Sequence, residues 1–284
     1  MTISLFVKVF DGVVLATDSA TTLQLPDGGA QVYNHANKTF QLHREYPIGA
    51  VTWGLGAIGS ASISTIAKDL RSRLMGNEES FSDWELDANY TLQGVAERAR
   101  ELLHEELYSK SVVAYPDGSF PTLGFLIAGF SGSSSDAEVW RLEINDPNAE
   151  PDLIQEMTAD QSGWAAFGQP GALMRLFDGV DPFLADYLGG AQVEPPTELP
   201  HVTVDRMLQA IREDPVVPPM PFQDAINLAQ FMVDTTVGYT RYILGPDTVG
   251  GEVEVAGISR HEGFKWVRRK HYFSQSLNPK GHSE

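Results

Sequence analysis

Short apolar runs and turn signals dominate the first fifty residues. Residues 2–10 alternate loosely between apolar and polar side chains, Asp11-Gly12 is a hairpin turn signal, and Val13-Val14-Leu15-Ala16 resumes the strand. After a turn near Pro26-Asp27-Gly28-Gly29, two more strands are predicted at 38–43 and 48–53. The period then changes to that of a helix. Ile63, Ile66, Ala67, Leu70 and Leu74 fall on one face, and Leu92, Val95, Ala96, Ala99, Leu102, Leu103 and Leu107 do the same. Both stripes read as packing surfaces. Strand patterns return at 123–130, 137–144 and 153–168, and a helix fits 170–187. A short helix is predicted at 201–213 and a long one at 222–243, with Ala225, Ile226, Ala229, Met232 and Val233 on its buried face. Strands at 252–258 and 263–267 come next.

Blocks of strands separated by groups of helices do not match regular strand–helix–strand alternation, so a doubly wound parallel sheet is disfavoured. The pattern suits an α+β fold in which two antiparallel sheets pack face to face with helices outside. Prolines 195, 196, 200, 215, 218, 219 and 221 crowd one region. One helix and a few strands lie beyond it, too little for an independent core. The expectation is therefore one domain over 1–284, with a Pro-rich insertion at about 188–221.

Composition narrows the function. The 284 residues are 42% hydrophobic, 10% aromatic and 20% charged, as in ordinary soluble globular proteins. The net charge of −18 argues against nucleic acid as a partner, because phosphate binding needs clustered cations. The one basic stretch is the tail from Arg260 to Lys280, where Arg268, Arg269 and Lys270 cluster, and a docking element is the minor reading of it. There is no cysteine, which excludes disulfides, thiolate metal sites and Cys nucleophiles. The first residues lack a signal-peptide pattern, and no run approaches the length of a membrane span. The expected location is cytoplasmic. The seven histidines form no metal-binding spacing, so neither a metal nor another cofactor is expected.

Gly54-Leu55-Gly56-Ala57-Ile58-Gly59 matches G-x-G-x-x-G between an apolar strand and a predicted helix. A dinucleotide site also needs a second parallel strand ending in an acidic residue. Here the helix runs instead into the polar loop Gly76-Asn77-Glu78-Glu79-Ser80. The glycines read better as a tight turn with exposed backbone N–H groups.

Thr2 is the strongest candidate nucleophile. A small residue after the initiator Met permits removal of that Met, leaving a threonine with both its hydroxyl and a free α-amine. Such an amine titrates at about 7.7–8.0 and can serve as the threonine's own general base. Position 2 alone is weak evidence, but the residues after it are informative. Thr2-Ile3-Ser4-Leu5, Asp11-Gly12-Val13-Val14-Leu15-Ala16-Thr17-Asp18-Ser19, Asn37-Lys38-Thr39-Phe40 and Trp53-Gly54-Leu55-Gly56 together resemble the β-type subunits of proteasomes and their bacterial relatives.

That resemblance implies the N-terminal-nucleophile (Ntn) hydrolase fold, a four-layer αββα sandwich, and a threonine peptidase with Thr2 as nucleophile. It makes Asp18 and Lys38 the remaining catalytic members and gives the backbone N–H of Gly54 the oxyanion role. The plainer reading of Asp18 and Lys38 is a surface ion pair. Ala165-Ala166-Phe167-Gly168-Gln169-Pro170-Gly171-Ala172 resembles the family's G-S-G segment, and Asp247-Thr248-Val249-Gly250-Gly251 its D-x-x-S-G loop. Asp247, Ser19 and Gln169 are thereby supporting residues. The chain departs from the pattern where Gln169 and Gly250 stand in place of serines and Ala20 in place of a common arginine. The resemblance further implies a homo-oligomeric ring acting on peptide or polypeptide substrates, and it admits an ATP-driven unfoldase partner. A non-catalytic scaffold subunit and a small-molecule amidase of the same fold are the alternatives.

Overall fold

The computed structural model describes residues 2–24, 30–132, 134–180, 211–244 and 248–270. The Asp11-Gly12 turn joins β1 (Ile3–Val9) to β2 (Gly12–Thr17), and every residue of both strands is buried. Further along the chain come β3 (Thr21–Gln24), β4 (Ala30–Tyr33), β5 (Thr39–Gln41), β6 (Ile48–Gly54), β7 (Ala57–Ile58) and β8 (Ala61–Ser62). After them lie β9 (Leu123–Phe130), β10 (Ala137–Ile144), β11 (Leu153–Met157), β12 (Gly163–Gly168), β13 (Glu254–Ser259) and β14 (Gly263–Arg268). Two five-stranded sheets result, ordered β12-β1-β2-β13-β14 and β11-β10-β9-β6-β5, with all neighbours antiparallel. The pairs β3-β4 and β7-β8 form small separate ribbons. The architecture is thus α+β with antiparallel sheets.

The strands' period of two sorts side chains between clusters. In β1, Ile3, Leu5, Val7 and Val9 pack with Val14, Val255 and the long helix Phe222–Thr240 through Ala225, Ala229, Met232 and Val233. Phe6 points the other way and joins Val13 and Leu15 against Val51, Leu126 and Ala128 of the second sheet. The opposite face of that sheet carries Ala50, Phe125 and Ile127, which pack on α1 (Ile63–Leu74) and α2 (Leu92–Arg100). Each large side chain so buried contributes roughly 1.5–3 kcal/mol. Ser4 joins the sheets directly, donating to the Thr52 carbonyl at 2.7 Å.

Several expectations need correction. The predicted strand 153–168 is two strands in different sheets, because the polar turn Thr158-Ala159-Asp160-Gln161-Ser162 carries the chain across. Lys8 holds that turn by donating to the carbonyls of Thr158 and Ala159, each at 3.0 Å, and of Gln161. The α2 stripe holds through Leu103, after which π-helical geometry over Glu101–Tyr108 buries His104 and Tyr108 and leaves Leu107 partly exposed. The wider turn advances the buried face by one residue. The helix predicted at 170–187 ends at Gly179, which takes a left-handed φ of 73°. The β3-β4 hairpin has no counterpart among the predicted strands. The helix predicted at 201–213 lies almost wholly outside the described residues, as does much of the Pro-rich region.

Candidate active site

Strand register assembles the site. Ile3 pairs with Gly168 on one side, and Ser4 pairs with Thr17 on the other, so Thr2 emerges beside Asp18. The Asp18 N–H donates to the Ile3 carbonyl at 3.2 Å, which continues the ladder one step past β2. Lys38 comes from the second sheet, immediately before β5. Thr17 and Thr39 share a hydrogen bond at 3.1 Å between their hydroxyls, which locks the segments bearing Asp18 and Lys38 together.

All three candidate residues are buried: Thr2 is 3% exposed, Asp18 0% and Lys38 5%. The surface ion pair of the plainer reading is therefore excluded. Thr2 Oγ1 donates to Asp18 Oδ1 at 2.5 Å, and Lys38 Nζ meets the same carboxylate oxygen at 2.6 Å. Lys38 Nζ also donates to Thr2 Oγ1, which closes a three-membered ring of contacts. Asp18 is fixed from several further directions. The N–H of Ile3 reaches Oδ1 at 3.1 Å, while those of Ala20 and Gly250 reach Oδ2 at 3.1 and 2.9 Å. Burial pushes the Lys38 amine below its ordinary 10.5, against the attraction of Asp18, which opposes the shift. A threonine hydroxyl between a buried carboxylate and a lysine amine with a lowered pKa can exchange its proton locally.

The cleft over this ring is lined by Thr2, Thr21, Ala36, Asn37, Lys38 and Gly54 among others. Gly54 ends β6 with φ of 80°, and a Cβ there would lie 2.2 Å from the Thr122 carbonyl oxygen. Only glycine fits such a place without strain. The G-x-G-x-x-G run does not open a helix directly. It passes through the β7-β8 ribbon, and Ser62 then caps α1 by accepting from the Thr65 N–H. The strands beside β6 are antiparallel, so this is not a dinucleotide crossover.

Of the supporting candidates, Gln169 follows Gly168, the partner of Ile3, and so sits at the Thr2 end of β12. Gly168 itself has φ of 87°, and a Cβ there would come within 2.2 Å of the Thr2 carbonyl oxygen. Ser19 is engaged elsewhere: its hydroxyl donates to the Glu252 carbonyl and accepts from Lys270 Nζ at 2.6 Å. Asp247 lies outside the described residues. Gly250, expected only as a missing serine, contributes through its backbone by donating to Asp18 and accepting from the Ser19 N–H at 2.9 Å.

Two residues that the sequence reading does not connect with the site lie behind the ring. Lys270 is 5% exposed and Glu254 2%, with Nζ and Oε2 3.7 Å apart. Lys270 is therefore buried, although it belongs to the basic stretch. Nothing in its immediate sequence marks it, since it follows two exposed arginines. Among the described residues, no group of His, Cys, Asp or Glu is arranged to hold a metal ion, and no helix is long and apolar enough to cross a membrane.

No protein-family model matches the chain, and no curated protein matches it. Among solved structures, the chain is similar to one described as an Anbu (Gly-1) mutant from Hyphomicrobium sp. strain MC1. The two share 16% sequence identity over 95% of this chain and 86% of that one, with a TM-score of 0.48.

Proposed function

We propose that the chain is an N-terminal-nucleophile amide hydrolase that works from Thr2 after removal of Met1. The observation that carries this reading is the buried ring of contacts between Thr2 Oγ1, Asp18 Oδ1 and Lys38 Nζ beneath an open cleft. Thr2 Oγ attacks the amide carbonyl while the freed α-amine takes up its proton. The Lys38 ammonium, held by Asp18, lowers the energy of the alkoxide-like nucleophile. The Gly54 N–H receives the developing oxyanion. The α-amine returns the proton to the leaving amine, and water then hydrolyses the ester on Thr2.

The same reading takes the sheets and helices as the four-layer αββα arrangement of one domain. It takes the physiological unit as a homo-oligomeric ring, cutting peptides or polypeptides and open to an unfoldase partner. Gln169 and Asp247 are its supporting residues at the threonine amine.

The test is intact-mass analysis after treatment with an electrophile selective for N-terminal threonine. Loss of Met1 and a single adduct on Thr2 are expected, absent in Thr2→Ala and much reduced in Lys38→Ala. Retained Met1 without an adduct would instead leave a non-catalytic subunit of the same fold.

A further inference from the structure

We propose that Glu254 and Lys270 are positioning residues for Lys38, a buried ion pair that fixes the backbone just before it and sets the electrostatic field at its amine. This role rests on the hydrolase reading for its purpose, though not for its readout.

The pair touches both segments that carry the candidate catalytic groups. Lys270 Nζ donates to Ser19 Oγ, next in the chain to Asp18, and to the carbonyl of Ala36, two residues before Lys38. Glu254 Oε2 has no hydrogen-bond partner and lies 3.7 Å from Lys270 Nζ, with Arg269 adding a further positive charge nearby. Both residues come from the β13-β14 edge of the first sheet, whereas Lys38 leads into β5 of the second. The pair therefore ties the two sheets together at the one place where Lys38 must meet Thr2.

Stability alone gives a poor account of this pair. Each buried ion loses its hydration, and an apolar pair of similar volume would avoid that cost. What an apolar pair cannot supply is a field. The groups facing Lys38 are Asp18 beyond β2, Glu254 on β13 and Lys270 beyond β14. Asp18 and Glu254 favour its charged form, whereas Lys270 and burial favour the neutral one. Glu252 and Arg269 flank the pair and bear on its own charges. Lys270 and Glu254 thus act on Lys38 with opposite signs, so their removal must move it in opposite directions.

The experiment is a carbon-13 NMR titration of the lysine Cε signals in the full chain, with Lys38 assigned through Lys38→Arg. Its titration midpoint should rise in Lys270→Met and fall in Glu254→Gln. Lys270→Arg, which keeps the charge, should restore the midpoint to near that of the unmodified protein. Opposite shifts cannot come from general loosening of the fold. The inference is overturned if the Lys38 midpoint stays put in folded Lys270→Met and Glu254→Gln, even where Thr2 reacts normally. Opposite shifts in a protein whose Thr2 takes no adduct would instead defeat the hydrolase reading and leave the coupling established.

Discussion

Gly250 donates its backbone N–H to Asp18 Oδ2 at 2.9 Å across 232 residues of sequence, opposite the oxygen that holds Thr2 and Lys38. Asp18 is thus the hub where both sheets and the loop before β13 meet. Asp18→Ala leaves five donors without their acceptor, one of them a buried ammonium. Removing one partner of a buried pair costs about 3–5 kcal/mol. The urea unfolding midpoint should fall accordingly, and labelling of Thr2 should vanish in whatever folded protein remains.

The glycines around the site separate strained positions from free ones. Gly54→Ala and Gly168→Ala each place a Cβ 2.2 Å from a carbonyl oxygen at positive φ, so both should lower the melting temperature markedly. A Cβ at Gly250 meets nothing within 4 Å. Gly250→Ser should therefore fold with near-normal stability, and it introduces the serine that the proteasome-like pattern would place there. Faster labelling of Thr2 in Gly250→Ser would show that this serine assists the amine, while an unchanged rate would show that the backbone N–H to Asp18 suffices.

How much of this is legible in the sequence depends on how local each signal is. The β1-β2 hairpin and the α1 stripe are readable because each sits in a short pattern with a fixed period, whereas Asp18 and Lys38 are reached only through the resemblance of their segments to proteasome β-type subunits. That Asp18 and Lys38 lie buried together is not readable, since the Thr17–Thr39 hydroxyl contact depends on how two sheets stack. Lys270 and Glu254 stay hidden for the same reason. A lysine beside two arginines looks solvated until the strand after β13 turns it inward. The change of sheet at Thr158–Ser162 is concealed because a polar turn between two apolar runs resembles a bulge in one long strand.

His104 illustrates a different limit, because its helix position is predictable but its burial is not. It is 6% exposed, and neither ring nitrogen has a hydrogen-bond partner. An unpartnered buried polar group costs about 1–3 kcal/mol, whereas an apolar side chain of similar shape does not. His104→Leu should hold or raise stability by up to about 1 kcal/mol, read as an unchanged or higher melting temperature. A clear loss would indicate that the imidazole is anchored by a polar partner in solution.

The buried lysine of the site gives stability a definite pH dependence. Lys38 has a folded pKa below its unfolded 10.5, so in the interval between the two values the unfolded chain binds more protons than the folded one. Stability must then rise with pH across that interval. The Lys38 contribution is fully present only above 10.5 and is lost as pH falls through the lowered folded value. Glu254 has the opposite sign. Its folded pKa is raised above 4.5 by burial, so its contribution is complete below 4.5 and fades as pH rises through the folded value. The two are separable by working well above the carboxylate range. Between about pH 8 and 10.5, the urea midpoint of the unmodified protein measured against Lys38→Met should climb with pH. A difference that stays flat over that range would mean that Lys38 titrates in the folded protein as it does in the unfolded chain, and that Asp18 fully offsets the cost of its burial.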